Sequence, residues 1–356
     1  MSLSVCLIVK DEEAVIARCL NCAAKFADEI IVVDTGSSDG TVAEVKKFTD
    51  EVYFYKWNDD FSAARNFSLE KAGCDFVMWL DADDVISDEN CEKIRELVEK
   101  GGFDMAFLPY AAAFDGDKPS FTYYRERIFR RSKNYRFSGA VHEAVTPCGN
   151  IVYSSAVVEH RKVKSGEPLR NLRIYQSKLA QGETLDARAK FYYGRELFFN
   201  GMYLESIAVL EDFLRGDGWL ENKIEACFNL NRAYSAVGET EKARMSLLRS
   251  LDYAPPRSEF CCLTGEFFIK KGEYENAAYW YKTALNCRDE SKKGGFCNAD
   301  YCGFIPNMQL CVIYDKLGDY KTAYDYNEAA GAIKPRDGRY LYNKNYFENK
   351  FKENNK

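Results

Sequence analysis

The first half of the chain alternates short apolar runs with amphipathic segments, and no other feature of the sequence restricts the fold as strongly. The runs SVCLIVK, EIIVVD, EVYFYKW and CDFVMWLDADD predict buried strands. Between them, segments such as DEEAVIARCLNCAAKF carry apolar residues spaced by three and four, which predicts helices. This alternation predicts an α/β fold with a doubly wound, mostly parallel sheet. In such sheets, ligands bind beyond the carboxyl ends of the strands.

From about Ser87 the pattern changes to α+β. The helical segment ENCEKIRELVEK precedes three strand-like segments, FDMAFLPY, FTYYRERIFRR and IVYSSAVVEH. The stretch KVKSGEPLRN, which contains Gly and Pro, then indicates a linker. We therefore predict a first domain at residues 1–165, followed by a linker and connecting helix at 166–186.

The second half contains a repeated phrase in which a glycine precedes a small residue by five positions. The glycines are Gly201, Gly238, Gly272 and Gly318, and the small residues are Ser206, Ala243, Ala277 and Ala323. The glycines are separated by 37, 34 and 46 residues. A period of about 34 residues is typical of tetratricopeptide (TPR) repeats, in which two helices form each unit. We predict an all-α, TPR-like domain at residues 187–335, an insertion at 288–304 and a polar tail at 336–356.

Composition and charge argue against nucleic-acid binding and lead us to expect a cytoplasmic location. The formal net charge of −6 gives no electrostatic support to a general nucleic-acid-binding role. The chain begins MSLSVCLIVKDEE, without a signal-peptide pattern, and no run approaches the roughly 18 apolar residues of a membrane span. Thirteen scattered cysteines add to the expectation of a reducing, cytoplasmic location. Cys19 and Cys22 form a lone CxxC, which we interpret as small apolar residues on a helix face.

An acidic cluster follows the fourth predicted strand. Asp81 and Asp83 alternate along the chain, with Asp84 beside them. On an extended segment, alternating carboxylates point toward one side, where they can bind Mg²⁺ or Mn²⁺ together with diphosphate oxygens. The alternative is a solvated turn that caps the following helix. At the end of the second strand, Asp34 can accept hydrogen bonds from a ribose hydroxyl or a base imide, or it can cap the next helix.

Both histidines lie between the acidic cluster and the repeats. His142 occurs in FSGAVHEAV, and His160 ends the strand-like segment AVVEH. A neutral imidazole is a suitable ligand for Mn²⁺, so either histidine is a candidate metal ligand, and a packed or surface position is the alternative. Glu143 is the candidate general base, with an ordinary surface glutamate as its alternative.

These segments together resemble a known family. SVCLIVKDEE, DEIIVVDTGSSDGT, WNDDFSAARNFSLEKA and FVMWLDADD are similar to family 2 glycosyltransferases of the GT-A fold. The phrase FIPNMQLCVIYDKLGDYKTAYDYNEAA resembles the repeats of a bacterial subgroup with an attached TPR domain. That subgroup includes the sublancin-type peptide S-glycosyltransferases.

The resemblance implies an inverting hexosyltransferase that uses a UDP-sugar and Mn²⁺ or Mg²⁺. It implies that Asp34 contacts the uridine and that Asp81 and Asp83 hold the metal–diphosphate, with His160 as a further metal ligand. It supports His142 and Glu143 as catalytic residues near the acceptor. It also implies donor-binding roles for Arg65, Asn66, Asp11 and Glu12, although Asp11 stands where the family usually has Asn.

The acceptor is inferred from the repeats. Because TPR arrays commonly hold extended peptides, we expect a peptide or protein acceptor modified on Cys, Ser or Thr. Alternatives are a cell-surface glycan or lipid-linked acceptor, repeats that serve homodimerisation, and a non-catalytic TPR scaffold with a vestigial nucleotide-sugar-binding domain. A nucleotidyltransferase would carry a Gly-rich phosphate loop after its first strand, and KDEEAVIARC is not such a loop.

Overall fold

A computed structural model describes residues 1–116, 118–163, 167–287 and 298–354 of the chain. The chain divides into two compact units, Met1–Asn200 and Gly201–Lys356. Most of the insertion predicted at 288–304, and part of the linker predicted at 166–186, lie outside the described residues.

The first unit is built on a large mixed sheet. Within the described residues its strands are β1 (Leu3–Val9), β2 (Glu29–Asp34), β3 (Val52–Phe54), β4 (Phe76–Leu80), β5 (Asp84–Val85), β6 (Met105–Asp115), β7 (Lys118–Arg130), β8 (Phe137–Ser138), β9 (Ala144–Val145), β10 (Ile151–Tyr153) and β11 (Val158–His160). The strand order is β3-β2-β1-β4-β7-β6-β11-β5, while β10 pairs with β6, and β8 and β9 form a separate pair.

Strand directions divide this sheet into a parallel part and a mixed part. Strands β3, β2, β1 and β4 are parallel to one another, as the alternation of strands and helices predicts. Strand β7 is antiparallel to both β4 and β6, and β5 is antiparallel to β11. The predicted α/β class and mostly parallel sheet are therefore confirmed, with antiparallel pairs added in the second half of the unit.

Helices surround this sheet, and their ends follow ordinary capping chemistry. Within the described residues the helices of the first unit are α1 (Ile16–Ala23), α2 (Thr41–Val45), α3 (Phe61–Lys71), α4 (Asp88–Lys100), α5 (Arg170–Ala180) and α6 (Ala187–Phe199). The side chains of Asp60, Ser87 and Asp186 accept hydrogen bonds from backbone N–H groups in the first turns of α3, α4 and α6.

Both faces of the central strands are covered, which explains their continuous apolar sequences. Leu3, Val5 and Leu7 of β1 belong to one core cluster, which also contains residues of α1 and α4. Cys6, from the opposite face of β1, packs in a second cluster with Trp79. Strands that are buried on both faces read as apolar runs because neither face is in contact with water.

The second unit is helical. Within the described residues its α-helices are α7 (Tyr203–Arg215), α8 (Leu220–Ala236), α9 (Thr240–Arg249), α10 (Ser258–Lys270), α11 (Tyr274–Leu285), α12 (Phe304–Lys316), α13 (Tyr320–Ile333) and α14 (Gly338–Asn354). Consecutive helices pack against each other in the pairs α8–α9, α10–α11 and α12–α13. None of the helices in the described ranges has the length and apolarity that a membrane crossing requires.

The repeated glycines have the conformation that the repeat prediction requires. Gly238, Gly272 and Gly318 follow α8, α10 and α12 with φ angles of 83°, 75° and 81°. This left-handed conformation ends a helix at low cost only for glycine. Ala243, Ala277 and Ala323, five residues later, are all buried. The TPR-like character predicted for this part of the chain is thus confirmed by its geometry.

The segment predicted as a polar tail is a helix. Helix α14 covers residues 338–354, and its residues Tyr340 and Phe347 are buried. Phe347 packs in one cluster with Cys311 and Ala323. The two aromatic residues lie seven positions apart, on one face of a helix whose other residues are mostly polar, so the average composition concealed an amphipathic pattern.

Candidate functional site

A turn after strand β4 carries the acidic residues. Strand β4 ends at Leu80, and the backbone N–H of Asp84 donates to the carbonyl oxygen of Asp81 at 3.0 Å. The backbone N–H of Asp81 in turn donates to Oδ2 of Asp84 at 2.9 Å. Because the segment turns here, the alternation of an extended strand no longer decides which carboxylates point the same way.

Three side chains come together beside this turn and form what we call the carboxylate–histidine cluster: Asp83, Asp84 and His160. One ligand atom from each lies within 4.8 Å of the others. Nδ1 of His160 is 3.2 Å from Oδ1 of Asp83 and 3.9 Å from Oδ1 of Asp84. The antiparallel pairing of β5 with β11 sets His160 directly opposite Asp84 and thereby assembles the cluster.

Arg127 of strand β7 holds one oxygen of Asp84. Its Nη1 atom lies 2.9 Å from Oδ2 of Asp84, and both side chains are 0% exposed. The guanidinium of Arg127 also packs over the rings of Trp79 and Tyr110, with its Cζ atom 3.8 Å and 4.5 Å from the ring centroids. These contacts fix the Asp84 carboxylate in one orientation.

The other oxygen of Asp84 gives a test of whether the cluster fits a cation. Oδ1 of Asp84 and Nδ1 of His160 are buried atoms that make no hydrogen bond of normal geometry to any described residue. Buried polar atoms of this kind usually have a partner, which can be an ion. Two carboxylates and one imidazole form a donor set suited to Mn²⁺ and acceptable to Mg²⁺. The residues therefore fit the divalent cation that the sequence predicts.

The protonation of His160 follows from the same contacts. The nearby carboxylates of Asp83 and Asp84 outweigh the opposing effect of burial and raise the pKa of His160 to about 10. At neutral pH, and without a cation, the imidazole is therefore protonated. A cation that binds here replaces that proton.

Asp81, predicted as a metal ligand with Asp83, lies outside the carboxylate–histidine cluster. Its Oδ1 atom is 2.7 Å from Nη2 of Arg65. Burial opposes ionisation of Asp81, but the charges of Arg65 and Arg127 outweigh this effect and hold its pKa below the usual range. The structure thus brings Asp84 to His160 in the place where the sequence pattern put Asp81.

Arg65 links the acidic turn to the candidate base. Its Nε atom lies 2.5 Å from Oε1 of Glu143, while Nη2 binds Asp81. The guanidinium packs over Trp79, with Cζ 4.3 Å from the ring centroid. Burial favours the neutral guanidine, but Asp81 and Glu143 outweigh burial and raise the pKa of Arg65. Asp81, Arg65 and Glu143 form a continuous ion-pair network next to the cluster, in which Arg65 and Glu143 are buried and Asp81 is partly exposed.

The residues predicted at the ends of β1 and β2 organise loops there. Both carboxylate oxygens of buried Asp34 accept from the N–H of Ser37, and Oδ2 also accepts from the N–H of Gly36. Oδ1 of Asp11 accepts from the N–H and hydroxyl of Ser38, and the backbone hydrogen bond lowers the pKa of Asp11. The N–H of Glu12 donates to Oγ1 of Thr41.

Asn66, predicted to help bind the donor, lies against the backbone of strand β8. Its amide donates to the carbonyl oxygen of Phe137 at 3.0 Å and accepts from the N–H of Phe137 at 2.8 Å. The side-chain amide of Asn66 therefore forms the pair of hydrogen bonds with the backbone of Phe137 that a neighbouring strand could form.

His142 is placed away from the carboxylate–histidine cluster. Its Nε2 atom lies 2.8 Å from Oε1 of Glu196 in helix α6, and its ring stacks on Tyr192 with centroids 4.3 Å apart. It has a φ angle of 54°, which is uncommon for a residue with a side chain. The adjacent Glu143 is the one that reaches Arg65.

Sequence reasoning missed the contributions of Asp84, Arg127 and Glu196. The signal for Arg127 was weak, because the strand-like segment FTYYRERIFRR contains three other arginines and nothing in the sequence marks Arg127 among them. Glu196 gave no comparable signal, since an acid on an amphipathic helix is ordinary.

Parts of the chain are similar to known proteins. Residues 4–161 match the family model described as glycosyl transferase family 2. The SPbeta prophage-derived glycosyltransferase SunS of Bacillus subtilis strain 168 is 31% identical over 206 residues, covering 54% of this chain and 48% of SunS. A TPR repeat-containing protein of Synechococcus elongatus is 34% identical over 148 residues, covering 40% of this chain and 35% of that protein.

Among solved structures, S. aureus TarS 1–349 in complex with UDP aligns with a TM-score of 0.39 at 16% identity, covering 77% of this chain and 93% of that chain. The match spans about half the length of SunS and about a third of the length of the Synechococcus protein. The family match ends one residue after His160, so it contains the whole carboxylate–histidine cluster. Residues 4–161 are thus similar to glycosyl transferase family 2, and helices with TPR-like geometry follow them in the chain.

Proposed function

We propose that the chain is an inverting, metal-dependent glycosyltransferase that moves a sugar from a UDP-sugar to a Cys, Ser or Thr side chain of a peptide or protein. The observation that carries the proposal is the carboxylate–histidine cluster within a family 2 domain. The cluster lies just beyond strand β4, where α/β sheets bind their ligands. The donor, the acceptor and the stereochemical outcome are the proposed parts.

Asp83, Asp84 and His160 would hold Mn²⁺ or Mg²⁺ beside the diphosphate of the donor. A cation bound there supplies charge that stabilises the departing UDP. Asp34, at the end of β2, is buried beside a loop whose backbone it already holds, and we assign the uridine end of the donor to this region. Arg65 is engaged by two carboxylates, so its role is to set the position of Glu143 and Asp81.

Glu143 is the proposed base. Arg65 engages Oε1 of Glu143, and the second carboxylate oxygen is the one that we expect to accept the proton of the acceptor. Single displacement at the anomeric carbon requires the acceptor to attack from the face opposite the leaving UDP. A thiol acceptor would need less assistance from a general base than a hydroxyl, because the pKa of a thiol is about 8.5.

The peptide acceptor is supported by the second unit. Its helices repeat with the glycine spacing of TPR arrays, and arrays of this class bind extended peptides. A glycan or lipid-linked acceptor, and repeats that serve homodimerisation, are the competing outcomes. Cytoplasmic location stays a prediction of the sequence.

Two measurements test the proposal. The first is metal-dependent release of UDP from several UDP-sugars without acceptor, by wild type and by the variants Asp83→Asn and Asp84→Asn. Asp88→Asn is the matched control, because Asp88 is an exposed acid paired with Lys25. We expect the two cluster variants to lose release and the control to keep it. Release that persists in EDTA or in both cluster variants would refute the metal assignment.

The second measurement is intact-mass analysis of candidate peptides after incubation with the active UDP-sugar and Mn²⁺. A mass increase of one hexose or one N-acetylhexosamine on a peptide is the expected result. Transfer only to lipid-linked or glycan acceptors would contradict the peptide assignment. Absence of any UDP release by the wild type would favour the non-catalytic scaffold.

A further inference from the structure

The loop that carries Glu143 is held by contacts from outside itself. We call residues 139–143 the His142 loop. Gly139 and His142 have φ angles of 97° and 54°, so two residues of the loop adopt positive φ angles. Such a conformation is maintained by its surroundings when the residue is not glycine.

Three consecutive carbonyl groups of the His142 loop accept hydrogen bonds from other elements. The carbonyl of Ala140 accepts from the N–H of Phe61 at 2.9 Å, and that of Val141 accepts from the hydroxyl of Tyr175 at 3.3 Å. The carbonyl of His142 accepts from both Nε and Nη2 of Arg188, at 3.2 Å and 3.0 Å.

The last of these contacts bears directly on Glu143. The carbonyl of His142 shares a rigid peptide plane with the amide nitrogen of Glu143. Two donors from one planar guanidinium fix the orientation of that plane more firmly than a single donor could. Arg188 therefore contributes to the direction in which the Cα atom and side chain of Glu143 leave the loop. Two other arginines act on Glu143 directly: Nη2 of Arg125 donates to its carbonyl oxygen at 3.4 Å, and Arg65 pairs with its carboxylate.

The side chain of His142 is held from the same helix. Oε1 of Glu196 lies 2.8 Å from Nε2 of His142 and accepts from the amide of Asn171 at 3.0 Å. Burial raises the pKa of Glu196, but the hydrogen bonds from His142 and Asn171 outweigh it and keep the pKa below its usual value. An ionised carboxylate only accepts, so Nε2 of His142 carries the proton. Tyr192 covers one face of the ring.

Apart from Phe61 and the two arginines that act on Glu143 directly, the groups named above that hold the His142 loop lie beyond the residues of the family match. The family match ends at residue 161, whereas Asn171 and Tyr175 belong to α5, and Arg188, Tyr192 and Glu196 belong to α6. Both helices are part of the first compact unit, Met1–Asn200. The two helices thus extend the catalytic unit past the part that the family defines.

We propose that Arg188 and Glu196 of helix α6 are positioning residues that fix the His142 loop and thereby aim Glu143 at the acceptor. The proposal rests on the proposed function for the identity of Glu143 as the base. The mechanical part, that α6 holds the loop, is independent of the reaction. In this proposal His142, which the sequence suggested as catalytic, is the residue of the loop that helix α6 contacts through Glu196 and Arg188.

The test uses the full chain with the variants Arg188→Met, Arg188→Lys and Glu196→Gln. Arg173→Met is the control, because Arg173 lies on α5 and forms an exposed ion pair with Glu167. The first readout is hydrogen exchange of the backbone amides of residues 139–145. We expect exchange to rise about tenfold or more in Arg188→Met, as expected for local opening of a loop that loses its support. Arg188→Lys, which keeps one donor, should be intermediate, and the control should match wild type.

The second readout is steady-state transfer to an acceptor identified as above. We expect kcat to fall about 10- to 100-fold in Arg188→Met, because a small displacement of a catalytic group has effects of that size. The KM for the UDP-sugar and the affinity for Mn²⁺ should stay within about twofold of wild type. Glu196→Gln, whose amide oxygen can still accept from Nε2, should lose less activity.

Wild-type exchange rates in the loop of Arg188→Met would overturn the proposal, whatever the reaction. Equal losses in kcat and in Mn²⁺ affinity would also overturn it, because they indicate a general structural role. A wild type that releases no UDP in the presence of Mn²⁺ refutes the proposed function, and the exchange experiment then still decides whether α6 holds the loop.

Discussion

Replacing Arg127 with Met is expected to destabilise the first unit severely. Arg127 and Asp84 are both completely buried, and their closest atoms are 2.9 Å apart. Met fills a similar volume but leaves the Asp84 carboxylate without its partner in a region of low dielectric constant. Breaking a buried ion pair by removal of one partner costs about 3–5 kcal/mol. With a urea m-value of about 2 kcal/mol per M, a loss of about 4 kcal/mol lowers the unfolding midpoint by about 2 M.

The assay is urea unfolding of the full chain, in which hydrogen exchange of the backbone amides of β1 and β4 reports on the first unit. Residues of these two strands belong to both core clusters of that unit. Lys93→Met is the control: Lys93 pairs with Glu89 on the exposed face of α4, and we expect no measurable change in the midpoint.

A double variant gives the sharpest test of the reasoning. If the cost in Arg127→Met comes from an uncompensated charge, then Arg127→Met/Asp84→Asn should be more stable than Arg127→Met alone, because the charge has been removed. A double variant that is less stable than Arg127→Met would refute the electrostatic explanation. The loss would then be assigned to the packing of Arg127 on Trp79 and Tyr110.

Further predictions concern the metal, the repeats and one structural amide. Because the pKa of His160 is raised to about 10, a cation must displace a proton, and Mn²⁺ affinity should rise by up to about tenfold per pH unit from pH about 6.5 to about 8.5. Calorimetry at three pH values checks this, and a flat profile would contradict the ligand role. Without metal, the contribution of His160 to stability should be complete below its ordinary pKa of 6.5 and lost as pH rises through about 10. Gly265→Ala should cost the second unit about 1–3 kcal/mol, because a Cβ atom would lie 2.6 Å from the ring of Tyr281. Gly338→Ala, with open space around it, is the control, and equal effects in thermal unfolding would argue against the clash. Asn66→Ala should lower stability by about 1–3 kcal/mol by leaving backbone groups of β8 without partners. Its UDP affinity should match that of wild type, and a large loss of affinity would restore the donor-binding interpretation.

The parallel core of the first unit was predictable because its central strands, β1 and β4, are buried on both faces and so appear as apolar runs. The sequence could not predict the long antiparallel pairing of β6 with β7 or the pairing of β5 with β11. Periodicity shows which residues form strands, but it contains no information about which distant strand becomes the partner. The repeats were predictable for the opposite reason, since their packing is between neighbours along the chain.

At the candidate site, the sequence drew attention to one acidic turn and one late histidine, and the structure brings residues of both together. The sequence could not choose among three aspartates, because that choice depends on where β4 ends. The strand stops at Leu80, and the turn from Asp81 to Asp84 rotates the carboxylates out of the period-two pattern. Glu143 stays the predicted base, and the arginines that contact it and the adjacent peptide group, Arg65 and Arg188, come from positions 78 residues before and 45 residues after it.

The pairing of β11 with β5 has a consequence for how the protein matures. His160 is separated from Asp84 by the whole β6–β7 hairpin, so the ion-binding constellation exists only after that hairpin has docked onto the sheet. Contacts between such distant positions form late when loop-closure entropy dominates. Tight Mn²⁺ binding should therefore require a chain that extends through β11 and has folded. Fragments that end before residue 158 should bind the ion weakly even when their parallel strands have formed.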